Sequence, residues 1–195
     1  MAENDQMGEL TKDITGIIWE RIASLNETMP PADAYIILSE TNTASLKKIT
    51  KPVLLNSVVH TLKELNTPAN VLRINGWKSF LSRKCWEVTG MVNEEAAEIF
   101  SAMGKNFLVV TDEPGLVAAR PIAMIINEAY FALEQGVSTK SEIDTAMKLG
   151  TNYPFGPFEW ASIIGLDHIY DLLHFLGLSD TRYIPSQLLK MEVAV

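Results

Sequence analysis

Residues 153–167 read YPFGPFEWASIIGLD, and this stretch decides how the second half of the chain is built. Pro154, Gly156 and Pro157 stand almost side by side. Proline presets φ and offers no backbone donor, while glycine accepts sharp reversals, so together they fix a rigid turn between two helices. Upstream, Thr139 and Glu142 form a T-x-x-E capping box, which opens a helix running to Gly150. Before it, Leu116 to Glu134 predicts a long helix closed by Gly136, with Pro121 permitted if the helix proper begins near it. Downstream, Leu166, Ile169, Tyr170, Leu173 and Leu176 share one helical face, and Gly177 is the stop.

Further upstream the period changes. AYIIL at 34–38, PVLL at 52–55 and VLRI at 71–74 are bounded by Pro, Asn or Gly and have the length of buried strands. Short helices are predicted between them, at Thr43 to Ile49 and His60 to Leu65, so the pattern alternates as in a parallel sheet. Ile14, Ile17, Ile18, Ile22 and Leu25 fall along one face and predict an amphipathic helix over 14–25, the candidate cover for an exposed sheet edge. Glu94 to Met103 reads as a helix ended by Gly104, Phe107 to Val110 as a strand, and Glu113-Pro114-Gly115 as a turn. The expected division is an α/β layer over 1–111 and an all-α region over 112–195.

Composition narrows the function classes. Sixteen Lys+Arg against 24 Asp+Glu give a formal charge of −8, and the basic residues form no stripe, which argues against a nucleic-acid partner. The acidic start MAENDQMGEL is unlike a signal peptide. The most apolar stretch, Leu116 to Leu133, is broken by Arg120, Pro121, Asn127 and Glu128, so no membrane span is expected and the cytoplasm is the expected address. The single cysteine, Cys85, cannot form an intramolecular disulfide and, beside Trp86, reads as a buried small hydrophobe. His60, His168 and His174 have no accompanying Cys or carboxylate cluster, so core or surface roles are expected and no metal. Trp77, Trp86 and Trp160 read as core fillers.

The order of unusual residues from Asp112 to Asp167 is not produced by periodicity alone. DEPGLVAAR (112–120), NEA (127–129), GVSTKSEIDTAMKLG (136–150) and YPFGPFEWASIIGLD (153–167) resemble the C-terminal domain of the 3-hydroxyacyl-CoA dehydrogenases, and the likeness continues through Tyr183 to Met191. The resemblance implies a truncated Rossmann-like parallel sheet layer followed by a helical, 6-phosphogluconate-dehydrogenase-like domain. It also implies that the helical domain makes a dimer contact and closes one side of an acyl-CoA cleft.

The resemblance extends upstream. Val71 to Trp77 matches the family segment that carries a catalytic His, and that position is Asn75 here. Lys84 to Val88 matches the segment with the carboxylate that orients the His, present as Glu87. Asn56 to Val59 matches a turn whose first Ser contacts substrate, and that position is Val58. The family Asn just before Arg120 is replaced by Ala119. Removing a hydroxyl proton as hydride leaves needs a poised base, and an amide has no titratable proton in that range.

The family binds NAD on a glycine-rich turn, whereas only Gly8 and Gly16 precede Gly76 and no G-x-G-x-x-G occurs. AYIIL resembles the family's fourth strand, leaving too few residues ahead of it for three strands and their helices. No NAD is therefore expected. The leading expectation is a degenerate 3-hydroxyacyl-CoA dehydrogenase homologue of acyl-CoA metabolism, homodimeric through its helical domain. The alternatives are an acyl-CoA-binding or regulatory partner of a full-length family member, and a divergent active dehydrogenase with Glu87 as its base.

Overall fold

The computed structural model describes residues 2–22, 25, 29–39 and 43–194. The chain divides into two compact units, Met1–Leu116 and Val117–Val195. Among the described residues no helix is long and apolar enough to cross a membrane.

The first unit runs α1 (Ala2–Thr11), β1 (Tyr35–Ile37), α2 (Thr43–Leu46), β2 (Val53–Asn56), α3 (Leu62–Leu65), β3 (Val71–Ile74), β4 (Cys85–Thr89), α4 (Glu94–Ala102) and β5 (Asn106–Val109). The strands lie in chain order in one five-stranded sheet. β1, β2 and β3 are parallel, with Tyr35 beside Val53 and Val53 beside Val71, as the alternating pattern predicts. β4 runs antiparallel to β3 and parallel to β5. It was not predicted as a strand, because CWEVT has few aliphatic residues.

Successive side chains on a strand point to opposite faces, and the sheet is apolar on both. Leu54, Leu72, Ile74 and Val88 meet Ala96, Phe100 and Met103 from α4 and its end, while Val53, Leu55 and Val71 meet Ile37, Leu46 and Ile49. α4 is capped by the Asn93 side chain, which accepts from Ala96 N at 2.9 Å, and ends before Gly104 at φ 63°.

The expected helix over 14–25 is not formed. Residues 14–22 are irregular, and Ala23 and Ser24 lie outside the described residues. Asp13 at φ 63° and Gly16 at φ 80° break a helix there, since its φ is negative throughout. The apolar spacing has another use: Ile14, Ile17 and Trp19 pack on the α4 face and Leu25 on the opposite cluster. The segment therefore covers sheet faces and is not a helical guard on the edge of β1.

The second unit is helical: α5 (Ala119–Glu134), α6 (Lys140–Thr151), α7 (Pro157–Ile164), α8 (Leu166–Gly177), a 3-10 turn (Thr181–Tyr183) and α9 (Gln187–Val193). α5 packs against α7, α8 and α9, through a core that includes Ile122, Ala123, Ile126, Trp160, Ile164, Ile169, Leu172, Leu173 and Leu189. Pro121 falls in the first turn of α5, where a missing N–H costs no intrahelical bond. The capping box at Thr139 is present: Thr139 N donates to Glu142 Oε2 at 3.1 Å and Glu142 N to Thr139 Oγ1 at 3.3 Å.

The rigid turn of 154–157 gets its shape from Asp144, a buried carboxylate that accepts from Phe158 N at 2.8 Å. A Cβ on Gly156 would collide with that carboxylate, so only glycine permits the approach. Asn127, also buried, holds the 184–186 segment through both ends of its amide, donating to Ile184 O at 3.0 Å and accepting from Ser186 N at 2.8 Å.

Candidate functional site

In open α/β sheets, ligands bind outside the carboxyl ends of the parallel strands. In the first unit those ends carry Leu38, Asn56 to Val58, and Asn75-Gly76. Asn56 ties them together: its Nδ2 donates to Leu38 O at 3.0 Å and its Oδ1 accepts from Gly76 N at 2.9 Å. A Cβ on Gly76 would stand 2.6 Å from Asn56 Cγ, so the close approach again requires glycine.

Asn75 is only 6% exposed. Its Oδ1 accepts from Trp77 N at 3.2 Å, and that bond decides which end of the amide is oxygen. Its Nδ2 is buried and has no hydrogen-bond partner, an arrangement that costs about 1–3 kcal/mol. The antiparallel register pairs Arg73 with Thr89 and Ile74 with Val88. Continued by one residue, it sets Glu87 across from Asn75. Glu87 is half-buried, and its charge acts on Arg83, whose guanidinium pKa is lowered by burial and raised in part by Glu87 and Glu9.

The turn after Asn75 is clamped on several sides. Gln6 Nε2 donates to Gly76 O at 2.8 Å, and Glu9 accepts from Ser79 N at 2.9 Å and Ser82 N at 3.0 Å. Lys105 Nζ donates to Leu81 O at 2.8 Å and Arg83 O at 3.0 Å. Burial pushes the Lys105 ammonium below its ordinary pKa, with Glu9 and Asp13 pulling the other way.

Val58 is buried, and its carbonyl accepts from Gly115 N at 2.7 Å. Its isopropyl group offers neither donor nor acceptor. The neighbouring Ser57 uses its hydroxyl on its own loop, donating to His60 O at 2.8 Å. Ala119 is the first residue of α5 in the helical unit and is fully buried, a methyl where the resemblance implies an amide. Cys85 is exposed, contrary to expectation, at the first position of β4. Trp77, Trp86 and Trp160 are buried as expected.

Arg73 was missed as an organising residue. It is fully buried at the centre of the sheet. Its Nε lies 3.0 Å from Asp112 Oδ1 and 3.4 Å from Thr89 Oγ1. Nη1 donates to Ser57 O at 3.2 Å and His60 O at 3.1 Å, and Nη2 donates to Glu113 O at 2.6 Å. Thr89 Oγ1 donates to Asp112 Oδ1 at 3.0 Å, and Asp112 Oδ2 accepts from Leu62 N at 2.9 Å at the start of α3. Burial lowers the Arg73 pKa and the Asp112 charge opposes that. The signal in the sequence was a lone charge inside VLRI. The same bonds place Asp112 and Glu113 in the α/β unit, so the division falls after Leu116 and not after 111.

The connection from β2 to α3 (57–61) contains no glycine. Among the described residues no three His, Cys, Asp or Glu side chains are grouped so as to hold a metal ion.

The model of the 3-hydroxyacyl-CoA dehydrogenase C-terminal domain matches residues 115–194. The helical unit is thus similar to the C-terminal domain of that family over nearly all of its length. The chain is 46% identical over 91 residues to a 3-hydroxyadipyl-CoA dehydrogenase of Escherichia coli, covering 46% of this chain and 19% of that one. It is 40% identical over 98 residues to a 3-hydroxybutyryl-CoA dehydrogenase of Bradyrhizobium diazoefficiens, covering 49% and 33%. The matched stretch thus spans a third or less of these relatives. The fold is similar to that of the solved (S)-3-hydroxybutyryl-CoA dehydrogenase from Ralstonia eutropha, with a TM-score of 0.67 at 24% identity over 83% of this chain and 65% of that one.

Proposed function

We propose that this chain acts in acyl-CoA metabolism as a degenerate family member that binds acyl thioesters without carrying out their NAD-dependent oxidation itself. Asn75 is the observation that carries this reading: at the position of the family base, its amide oxygen is engaged with Trp77 N and its nitrogen cannot take a proton. Loss of a general base removes roughly 10²- to 10⁴-fold of rate. Val58 and Ala119, both apolar, add nothing that could replace it, and Glu87 lies opposite an amide and not an imidazole.

The chain acts as a homodimer through its helical unit or pairs with a full-length family member. Val137, Leu149, Leu178 and Met191 on that unit are large, apolar and exposed, and a partner that covered them would remove that surface from water. The cytoplasm is the proposed address, with no nucleic-acid or membrane partner.

Thermal unfolding with NAD, NADH and acetoacetyl-CoA tests the reading, since a ligand of the native state raises the midpoint. A rise with acetoacetyl-CoA alone is expected. A rise with NAD, or NADH formation from a 3-hydroxyacyl-CoA that is lost in Glu87→Gln, would overturn it in favour of an active dehydrogenase.

A further inference from the structure

Glu9 of α1 sits in the 77–83 turn as a ligand sits in a site. One carboxylate oxygen accepts from Ser79 N at 2.9 Å and the other from Ser82 N at 3.0 Å. Ser79 is at φ 72°, and a turn that passes through the left-handed region can aim more than one main-chain N–H into the same concavity, which is how backbone alone binds anions. The other side of the turn is fixed from the core. Leu81 O and Arg83 O accept from Lys105 Nζ at 2.8 and 3.0 Å, and from Trp86 Nε1 at 3.3 and 3.1 Å. Burial lowers the pKa of both Arg83 and Lys105, and the Glu9 charge opposes that lowering in each, so the carboxylate lies in the field of two cations.

α1 meets the fold at few points. Its sequence AENDQMGELT has no apolar stripe, and Gln6, Glu9 and Leu10, at spacings of three and four, join it to Gly76 O, to the turn and to the core cluster. Asp13 at φ 63° follows its end, and Ile14, Ile17 and Trp19 beyond it pack on the core independently. A side chain tethered in this way acts at an effective concentration of roughly millimolar, enough to fill a weak site and low enough for a ligand to compete. We propose that the 77–83 turn is a binding site for a ligand carboxylate, with Glu9 as its resident occupant and competitor. The two oxygens of a carboxylate span both N–H groups, whereas a carboxamide or an ester carbonyl brings one oxygen to two donors. Exchange of Glu9 for a ligand would take one anchor from α1, beside the Gln6 bond to Gly76 at the carboxyl end of β3. The site stands apart from the acyl-thioester reading above.

Thermal unfolding of the full chain in acetate, against chloride at matched ionic strength, tests the site. Glu9→Ala empties it and should lower the midpoint, and acetate should then restore the greater part of that loss as its concentration rises. The parent should respond only at roughly ten-fold higher acetate, because there acetate competes with Glu9. Should Glu9→Ala fail to fold, Glu9→Gln leaves one oxygen in place, and acetate should raise its midpoint by more than it raises the parent's. Calorimetric titration of Glu9→Ala with glutarate, glutaryl-CoA and butyryl-CoA identifies the source of the carboxylate. Equal affinities for the first two assign a free dicarboxylate, and glutaryl-CoA binding roughly ten-fold tighter than either of the others assigns a carboxylate borne on an acyl thioester. An acetate response that is absent from the variants, or equal in parent and variants, would overturn the site and leave the acyl-thioester reading standing.

Discussion

The two units spend their buried polar groups differently. In the helical unit, buried Asp144 and Asn127 each hold a single backbone segment, Asp144 the start of α7 and Asn127 the 184–186 stretch. In the α/β unit one fully buried cation, Arg73, holds segments from residue 57 to residue 113. The turns of the helical unit also carry local signatures in the sequence, TKSE at the start of α6 and YPFGP ahead of α7, whereas a buried charge that gathers several segments shows only as an isolated residue of the wrong type. The helical unit is therefore the more legible and the more readily matched by relatives, while the α/β unit keeps its frame through Arg73 and, at its strand ends, Asn56. There Asn75 and Val58 stand where the resemblance implies groups of different chemistry.

The contrast is broken most severely at its centre. Arg73→Met should take its cation from Asp112 and one donor each from the Ser57, His60 and Glu113 carbonyls and cost about 3–5 kcal/mol in urea unfolding, and a loss under 1 kcal/mol would show that the hub is not what holds the α/β unit. In the helical unit, Gly156→Ala forces a methyl onto the Asp144 carboxylate and should cost about 1–3 kcal/mol, read as a lower thermal midpoint. Because that effect is local, the combined variant should lose the sum of the two single losses.

A pH series sharpens the comparison. Burial alone would raise the Glu192 carboxyl, but hydrogen bonds from Lys140 at 2.7 Å and Tyr130 at 2.7 Å outweigh it and hold it below its ordinary 4.5. A depressed carboxylate contributes stability that is complete above the unfolded pKa and lost as pH falls through the folded one. Glu192→Gln should therefore lower the midpoint at neutral pH and narrow the drop in midpoint between neutral and acidic solution. An unchanged acid slope would show that the cluster on α9 contributes nothing. Smallest of all is Cys85→Ser, expected within about 0.5 kcal/mol of the parent because the side chain is exposed. A thiol reagent should label Cys85 rapidly in the native chain, and slow labelling would restore the buried reading.

Strands β1, β2, β3 and β5 and helices α4 to α6 and α8 were legible because they follow period and cap rules. α1 was not: AENDQMGELT has no apolar stripe, and its tie to the fold is made by Gln6 and Glu9 reaching a turn 70 residues or more away. The isoleucines of 14–22 misled because spacing along a helical face also fits an irregular strand of chain laid across a sheet. At the candidate site, Asn75, Val58 and Glu87 were singled out only by the resemblance, as was Ala119 in the helical unit. The orientation of the Asn75 amide was not readable, since it depends on which neighbour reaches it first in three dimensions.

The Arg73 hub bears on how the α/β unit assembles. Its partners at residues 60, 57 and 113 stand 13, 16 and 40 residues away in the chain, so a sheet of β1–β3 alone would hold a desolvated cation with neither the Glu113 carbonyl nor the Asp112 carboxylate in place. Closing even the longest of these loops costs only a little more entropy than closing the shortest, whereas each missing oxygen leaves a charge poorly matched. The balance favours all-or-none assembly, in which β1–β3 gain little until β4 and the 112–113 segment arrive. A nascent chain released before Glu113 would have the apolar strands of this sheet and no stable way to bury them.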